Sequence, residues 1–307
     1  MSNGSEDSLF PEVYGYKPDA TTADAKAARE EDWWEVSTGQ RWAAECPFKG
    51  GPCNKSTTTD DEHVDGTRGT GVCSLNEGEY TYIVCPERFR PNHVFQDIVN
   101  HVFDDYSDPS WEHFTEERIP TTQDKIAGNV DHVVGIHDDG ELLDFAGIEV
   151  QATYFSGGAY RPEFYEYMAR IDSDGKPGYV PTGTRRPDFR SCGDKRLIPQ
   201  VRQKGDIFNN WGRDFAVILD TALWDYLPEM PDADGESDFY FFVYRLEDAG
   251  DHYDLVLETV KETTYSQVVQ RFEMDEKGRP SESQYQAEIQ EKIEERVTTQ
   301  TATDRNN

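Results

Sequence analysis

The sequence predicts an α/β sandwich built on a mixed sheet, and three observations carry that prediction. Two β-rich runs, 130–137 and 141–151, flank Asp138-Asp139-Gly140 as the arms of a hairpin would. Phe215 to Asp220 is an apolar run bounded by polar residues, the mark of a buried central strand. Elsewhere helical spacing alternates with strand-like stretches, the pattern of a sheet flanked by helices.

Along the chain, residues 1 to 10 are expected to be disordered, and Ala20 to Trp33 reads as a helix leading through Trp33-Trp34 into a cysteine-bearing segment. Ser56 to Thr70, rich in Thr, Asp and Gly, reads as a loop. Val94, Phe95, Ile98, Val99, Val102 and Phe103 follow helical spacing behind an Asn92 cap, so Pro91 to Phe103 is a helix with these residues in the core. After the hairpin, Pro162 to Ile171 reads as a helix whose Phe164, Tyr165 and Tyr167 pack rather than stack on bases. Asp238 to Arg245 and His252 to Thr259 read as two later strands. Ser281-x-x-Gln284 resembles a capping box, and Tyr285, Ile289, Ile293 and Val297 form a narrow stripe expected to dock on the body rather than pair with a second copy; 298–307 is a frayed tail. These signals divide the chain into an extension (1–30), a cysteine module (31–92), a core (93–275) and a C-terminal helix and tail (276–307).

The hairpin carries the chemistry. If Asp138-Asp139-Gly140 closes a three-residue loop, His137 pairs with Glu141 and Asp131 with Gly147. Strand side chains alternate, so Asp131, Gly147, Glu149 and Gln151 then share one face and Asp144 lies on the other. A two-residue turn would shift the register by one and spoil the arrangement. Two carboxylates converging across a hairpin suit Mg²⁺, helped by the Val150 carbonyl, because a hard cation with several waters can present one of them to a phosphate. Gln151, two residues past Glu149, would orient that water. This is the layout of the PD-(D/E)XK nuclease core, with glutamine where lysine is usual. The plainer reading is that some of the 61 Asp and Glu fall at this spacing by chance and are solvated.

Four of the five cysteines lie early, at Cys46, Cys53, Cys73 and Cys85, among Gly and Pro turns. Four thiolates suit a closed tetrahedral structural site for Zn²⁺ or a single iron, which orders a segment with little core of its own. Two disulfides or separate buried thiols are the alternatives. With no signal peptide and no apolar run of transmembrane length, a reducing cytoplasm is expected, which disfavours disulfides. Cys192 reads as a bystander.

Together these residues resemble the NotI-like type II restriction endonucleases, over approximately residues 11 to 225. The carriers are Glu12-Val13-Tyr14-Gly15-Tyr16, the Cys-Pro-Phe-x-Gly-Gly-Pro-Cys-x-Lys run from Cys46 to Lys55, Gly71-Val72-Cys73-Ser74, Cys85-Pro86-Glu87-Arg88-Phe89, Ile148 to Gly157, and Lys195-Arg196-Leu197-Ile198-Pro199-Gln200. The resemblance implies a PD-(D/E)XK core with Gln151 in the lysine position. It also implies a four-cysteine iron site at Cys46, Cys53, Cys73 and Cys85, and a cognate methyltransferase not encoded here. It adds an upstream glutamate to the catalytic set, for which Glu117 is the choice and Glu116 the alternative.

A formal charge of −31 repels a polyanion and, at low salt, the chain itself. Acid excess spread over the whole chain, with Lys scarce, looks like halophilic adaptation, since concentrated salt shrinks the Debye length to a few ångströms. The exception is 185–204, where Arg185, Arg186, Arg190, Lys195, Arg196, Arg202 and Lys204 face only Asp188 and Asp194. This is the segment expected to contact phosphates or guanine edges, unless these bases pair with the chain's own carboxylates.

The expected function is Mg²⁺-dependent, site-specific cleavage of double-stranded DNA by phosphodiester hydrolysis. In it Glu117, Asp131, Glu149 and Gln151 are catalytic and Asp131, Glu149 and the Val150 carbonyl hold the cation. A palindromic site read by one surface calls for a homodimer. Two other classes remain: a non-catalytic metal-stapled DNA-binding protein, and a protein-interaction module without a nucleic-acid role.

Overall fold

The computed structural model of the 307-residue chain describes residues 8–30, 33–35, 40–42, 45–51, 53, 70–120, 126–156, 160–172, 178–179, 181–182, 185–274, 281–283, 285–287 and 289–293. Its strands are β1 (Glu12–Val13), β2 (Trp33–Glu35), β3 (Gln40–Trp42), β4 (Val72–Glu77), β5 (Tyr80–Ile83), β6 (Ser110–Pro120), β7 (Ile126–Asp138), β8 (Glu141–Gln151), β9 (Phe155–Ser156), β10 (Arg186–Pro187), β11 (Phe215–Asp220), β12 (Phe239–Asp248) and β13 (Tyr253–Thr263). The helices include α1 (Ala23–Glu30), α2 (Asn92–Val102) and α3 (Arg161–Ala169). A long helical run passes from Phe189–Cys192 through two π-helical stretches, Gly193–Leu197 and Val201–Gly205, to Asp206–Asn210. Shorter helices follow at Thr221–Tyr226 and Tyr265–Met274.

Six strands form one mixed sheet in the order β13-β12-β11-β8-β7-β6. β11 runs parallel to both β8 and β12, and the other pairs are antiparallel. The apolar Phe215–Asp220 segment is thus central and buried throughout, as its composition requires of a strand covered on both faces. Alternation divides its side chains. Ala216 and Ile218 join Ile148, Phe242 and the apolar stripe of α2, whereas Phe215, Val217 and Leu219 join Leu197, Val201, Phe208, Val268 and Phe272.

Asp220, at the end of β11, caps the helix Thr221–Tyr226 by accepting the Leu223 N–H at 2.8 Å and also takes the Ile83 N–H at 2.8 Å. One buried carboxylate therefore ties β5 to the main sheet, and burial pushes it up to about 6. β5 belongs to a three-stranded sheet, β1-β4-β5, with Cys73 on β4 and Cys85 just after β5.

Several sequence expectations change. Ser8, Leu9 and Phe10 are buried, because Leu9 donates to the Pro181 carbonyl and Phe10 packs on Tyr160 and Phe164; 1–7 lie outside the described residues. The first helix is shorter than Ala20 to Trp33, and Trp33-Trp34 belong to β2. Pro91, not Asn92, is the cap of α2 and offers no side-chain bond. Phe164 and Tyr167 are fully buried, as expected of packing residues. Most of 56–70, with Gln284 and 294–307, lies outside the described residues, while Tyr285, Ile289 and Ile293 are exposed rather than docked.

The hairpin is the main revision. Asp138 pairs with Glu141, so the turn has two residues, Asp139 and Gly140, both at positive φ. That turn alone would put Asp131 and Glu149 on opposite faces. A β-bulge cancels the shift: His137 pairs with Leu142 but Ile136 with Asp144, leaving Leu143 as the extra residue. From there the ladder runs to His132 opposite Ile148, two residues away from the expected register, and the parity is restored.

Candidate active site

With that register, the next step along β7 and β8 sets Asp131 beside Glu149. Asp131 Oδ2 accepts the Val150 N–H at 2.9 Å. Because the N–H and C=O of one strand residue point to the same side, the Val150 carbonyl is directed toward β7 as well. Glu149 is 1% exposed, and its Oε1 receives the Lys204 ammonium, while its Oε2 is buried and has no hydrogen-bond partner among the described residues. Burial, then the neighbouring Asp131 charge, pushes Glu149 up to about 8 against the pull of Lys204. Gln151 is buried and donates its amide to the Ala152 carbonyl at 2.7 Å.

A cleft opens beside this pair, lined by Asp131 and not by the buried Glu149. Asp131, Val150 and Gln151 form its floor, and Lys195, Arg196, Gln200 and Gln203 of the long helical run form one wall. His132, at the edge of the floor, is held neutral: burial and the adjacent His113, 3.2 Å away, push it down to about 3. Phe95 stacks on His113, with ring centres 3.9 Å apart, so α2 braces this edge. Nothing in the sequence signalled the histidine pair.

The two candidates for the upstream glutamate have different surroundings. Glu116, not Glu117, lines the cleft with Asp131. Thr115 pairs with His132 and Glu117 with Val130, so Glu116 stands opposite Asp131, at a φ of 54°. Glu117 lies instead in an apolar groove with Phe114, Ile119, Phe208 and Trp211.

The basic segment divides as well. Arg196 lies over the Tyr154 ring at 3.6 Å and lines the cleft with Lys195, which donates to Ser191. Arg186 and Arg190 are exposed. Arg185 is committed to Glu163 and Arg202 to Glu273, on the side of Tyr265–Met274. Lys204, read from the sequence as a DNA contact, is buried against Glu149. Its distance in sequence from the hairpin hid that pairing.

All five cysteines are buried thiols, none of them in a disulfide. Cys46 and Cys53 pack in one cluster with Leu9, Tyr14, Leu75, Val84 and Phe164. Burial raises the Cys73 thiol, as do Glu12, Cys85 and Cys53, so three of the four thiols lie within electrostatic reach of one another. The Cys85 N–H also bonds the Cys73 carbonyl at 3.2 Å. Among the described residues, no three His, Cys, Asp or Glu side chains come together as a ready ligand group. Cys192 accepts the Tyr154 N–H, and burial pushes its thiol up to about 11. No described helix is long and apolar enough to cross a membrane.

Residues 35–255 match the sequence model of a protein family described as "Restriction endonuclease NotI". None of the curated proteins matches the chain.

Proposed function

Since the chain belongs to the NotI restriction endonuclease family, we propose that it is a type II enzyme that makes Mg²⁺-dependent, site-specific double-strand cuts in DNA through a PD-(D/E)XK core. The observation that carries this reading is Asp131 on the cleft lining with the buried Glu149 beside it, whose Oε2 has no hydrogen-bond partner among the described residues. A buried carboxylate oxygen without a partner costs free energy unless something binds it, and a hard cation fits that oxygen, Asp131 and the Val150 carbonyl. Magnesium would supply Lewis-acid polarisation of the phosphate and a more acidic water.

The protein's own groups do the rest. Gln151 spends its N–H on Ala152, so its carbonyl oxygen is the atom left to orient a water by accepting a proton-donor contact. Glu116 supports the shell from β6. Hydrolysis adds that water to phosphorus as one bridging P–O bond breaks, the proton count being closed on the leaving oxygen. Arg196 and Lys195 on the wall, with Arg186 and Arg190, would draw the backbone into the cleft. Concentrated salt screens the remaining acidic surface, so recognition rests on short-range contacts.

The four early cysteines are assigned to a structural iron or zinc in a module around 31–92. Buried, unoxidised thiols drawn from turn-rich segments are the donor set such an ion takes, with no open position for chemistry. A core over 93–275 and a two-fold homodimer complete the proposal. The test is incubation of the full chain with mixed-sequence plasmid, Mg²⁺ and concentrated KCl, with the ends of any products sequenced. Discrete bands with constant termini are expected from the wild type, and Glu149→Gln is expected to retain DNA without cutting it. Retention without cutting by the wild type would favour a DNA-binding protein with no catalytic role.

A further inference from the structure

Lys204 reaches Glu149 from the helical layer of the fold, and Gly147 makes that reach possible. A Cβ at Gly147 would lie 2.5 Å from the Phe208 ring, so the bare backbone of β8 is what admits the helical run this closely. Phe208 over Gly147 and Lys204 over Glu149 form two matched contacts. Four helical residues rise about 6 Å and two strand residues about 6.6 Å, so one contact sets up the other. The lysine stem also passes Gly128 of β7, whose missing Cβ would stand 3.9 Å from Lys204 Cε. Lys204 itself sits in the π-helical stretch Val201–Gly205, a distortion that recurs at functional sites.

We infer that Lys204 is a positioning residue for the cleavage reaction: its ammonium fixes one oxygen of the Glu149 carboxylate and leaves the other, buried and without a hydrogen-bond partner among the described residues, to face the cation beside Asp131. This rests on the reading of Asp131 and Glu149 as the cation-binding pair. Gln151 does not take this role, because its amide is turned to the Ala152 carbonyl. A purely structural ion pair is the competing explanation, and removing one partner of such a buried pair lowers stability without by itself changing kcat per folded molecule.

The experiment compares wild type, Lys204→Met, Lys204→Arg and Glu149→Gln as full-length proteins. Readouts are cleavage of a plasmid fragment that the wild type cuts, Mn²⁺ binding to the DNA-free protein by calorimetry, and thermal unfolding. Lys204→Met is expected to lower kcat about 100-fold while KM stays within about threefold, and to weaken Mn²⁺ binding about tenfold; Lys204→Arg regains part of kcat. Wild-type kcat in Lys204→Met overturns the inference, as does a raised KM with a shallower salt dependence, which would mark a phosphate contact. Should Lys204→Met not fold, the Arg variant decides: reduced kcat with normal KM supports positioning, and wild-type kcat overturns it. Glu149→Gln separates the two levels. If that variant cuts normally, the carboxylate-pair reading itself fails; if it is inactive while Lys204→Met cuts normally, only the role of Lys204 falls.

Discussion

The Phe208 ring occupies the space that a Cβ at position 147 would need, 2.5 Å from where that atom would stand. The ring is boxed in by Phe145, Trp211 and Phe215, with centres 5.3 to 6.0 Å away, so it has little room to yield. Gly147→Ala is therefore expected to cost about 1–3 kcal/mol of stability by overpacking. It should also slow cutting beyond the loss of folded protein, because the helical run carrying Lys204 moves off β8. Thermal melts beside cleavage rates per folded molecule check this, and Phe208→Leu in the same chain should recover part of both.

Glu116 and Glu117 are neighbours with different surroundings, one in the cleft and one in the apolar groove. Glu116→Gln is expected to lower the cutting rate by about tenfold or more, about 1.4 kcal/mol of transition-state stabilisation. Glu117→Gln should leave it within about twofold, consistent with a surface substitution. Gel retention of DNA with Ca²⁺ in place of Mg²⁺ should be unchanged in both.

The arginines of the basic segment separate by what they touch. Arg196→Ala is expected to weaken DNA retention and reduce the slope of log affinity against log salt by about 1. Arg185→Ala should leave the slope unchanged and lower the unfolding temperature, since it strips the partly buried Glu163 of its cation. Filter binding across a KCl series, with melts, distinguishes them.

Asp214 reports how the acidic surface responds to pH and salt. Burial, then Asp144, Asp238 and Glu236, pushes its carboxyl up to about 7, with Arg213 opposing. The folded chain thus holds a proton that the unfolded chain releases near the ordinary Asp value of about 4. The contribution of this group to stability is greatest below about pH 4 and falls as pH rises to about 7. Asp214→Asn should raise the unfolding temperature at about pH 8 in dilute salt, with the gain shrinking at about pH 5 and in concentrated KCl.

Sequence reading recovered what depends on local periodicity. The apolar stripe of α2, the central strand Phe215–Asp220 and the shared parity of Asp131 and Glu149 were all legible from spacing. It failed where a single irregular residue decides the geometry. The bulge at Leu143 offset a turn one residue shorter than expected. Lys204 was misread for a different reason. A basic residue in a basic run looks solvated, and only the packing of Phe208 on Gly147 shows that it points inward.

The N-terminal segment is fastened to the far end of the sheet. Lys17 binds Asp248, 231 positions away, and its N–H meets the Asp251 carbonyl; Tyr16 bridges His252, and Arg88, held by the buried Glu12, donates to the Tyr253 carbonyl. A polypeptide still emerging from the ribosome therefore cannot complete these ties until residues near 253 have been translated. Truncated products ending before that point lack β13 and the anchorage it gives the N-terminal segment.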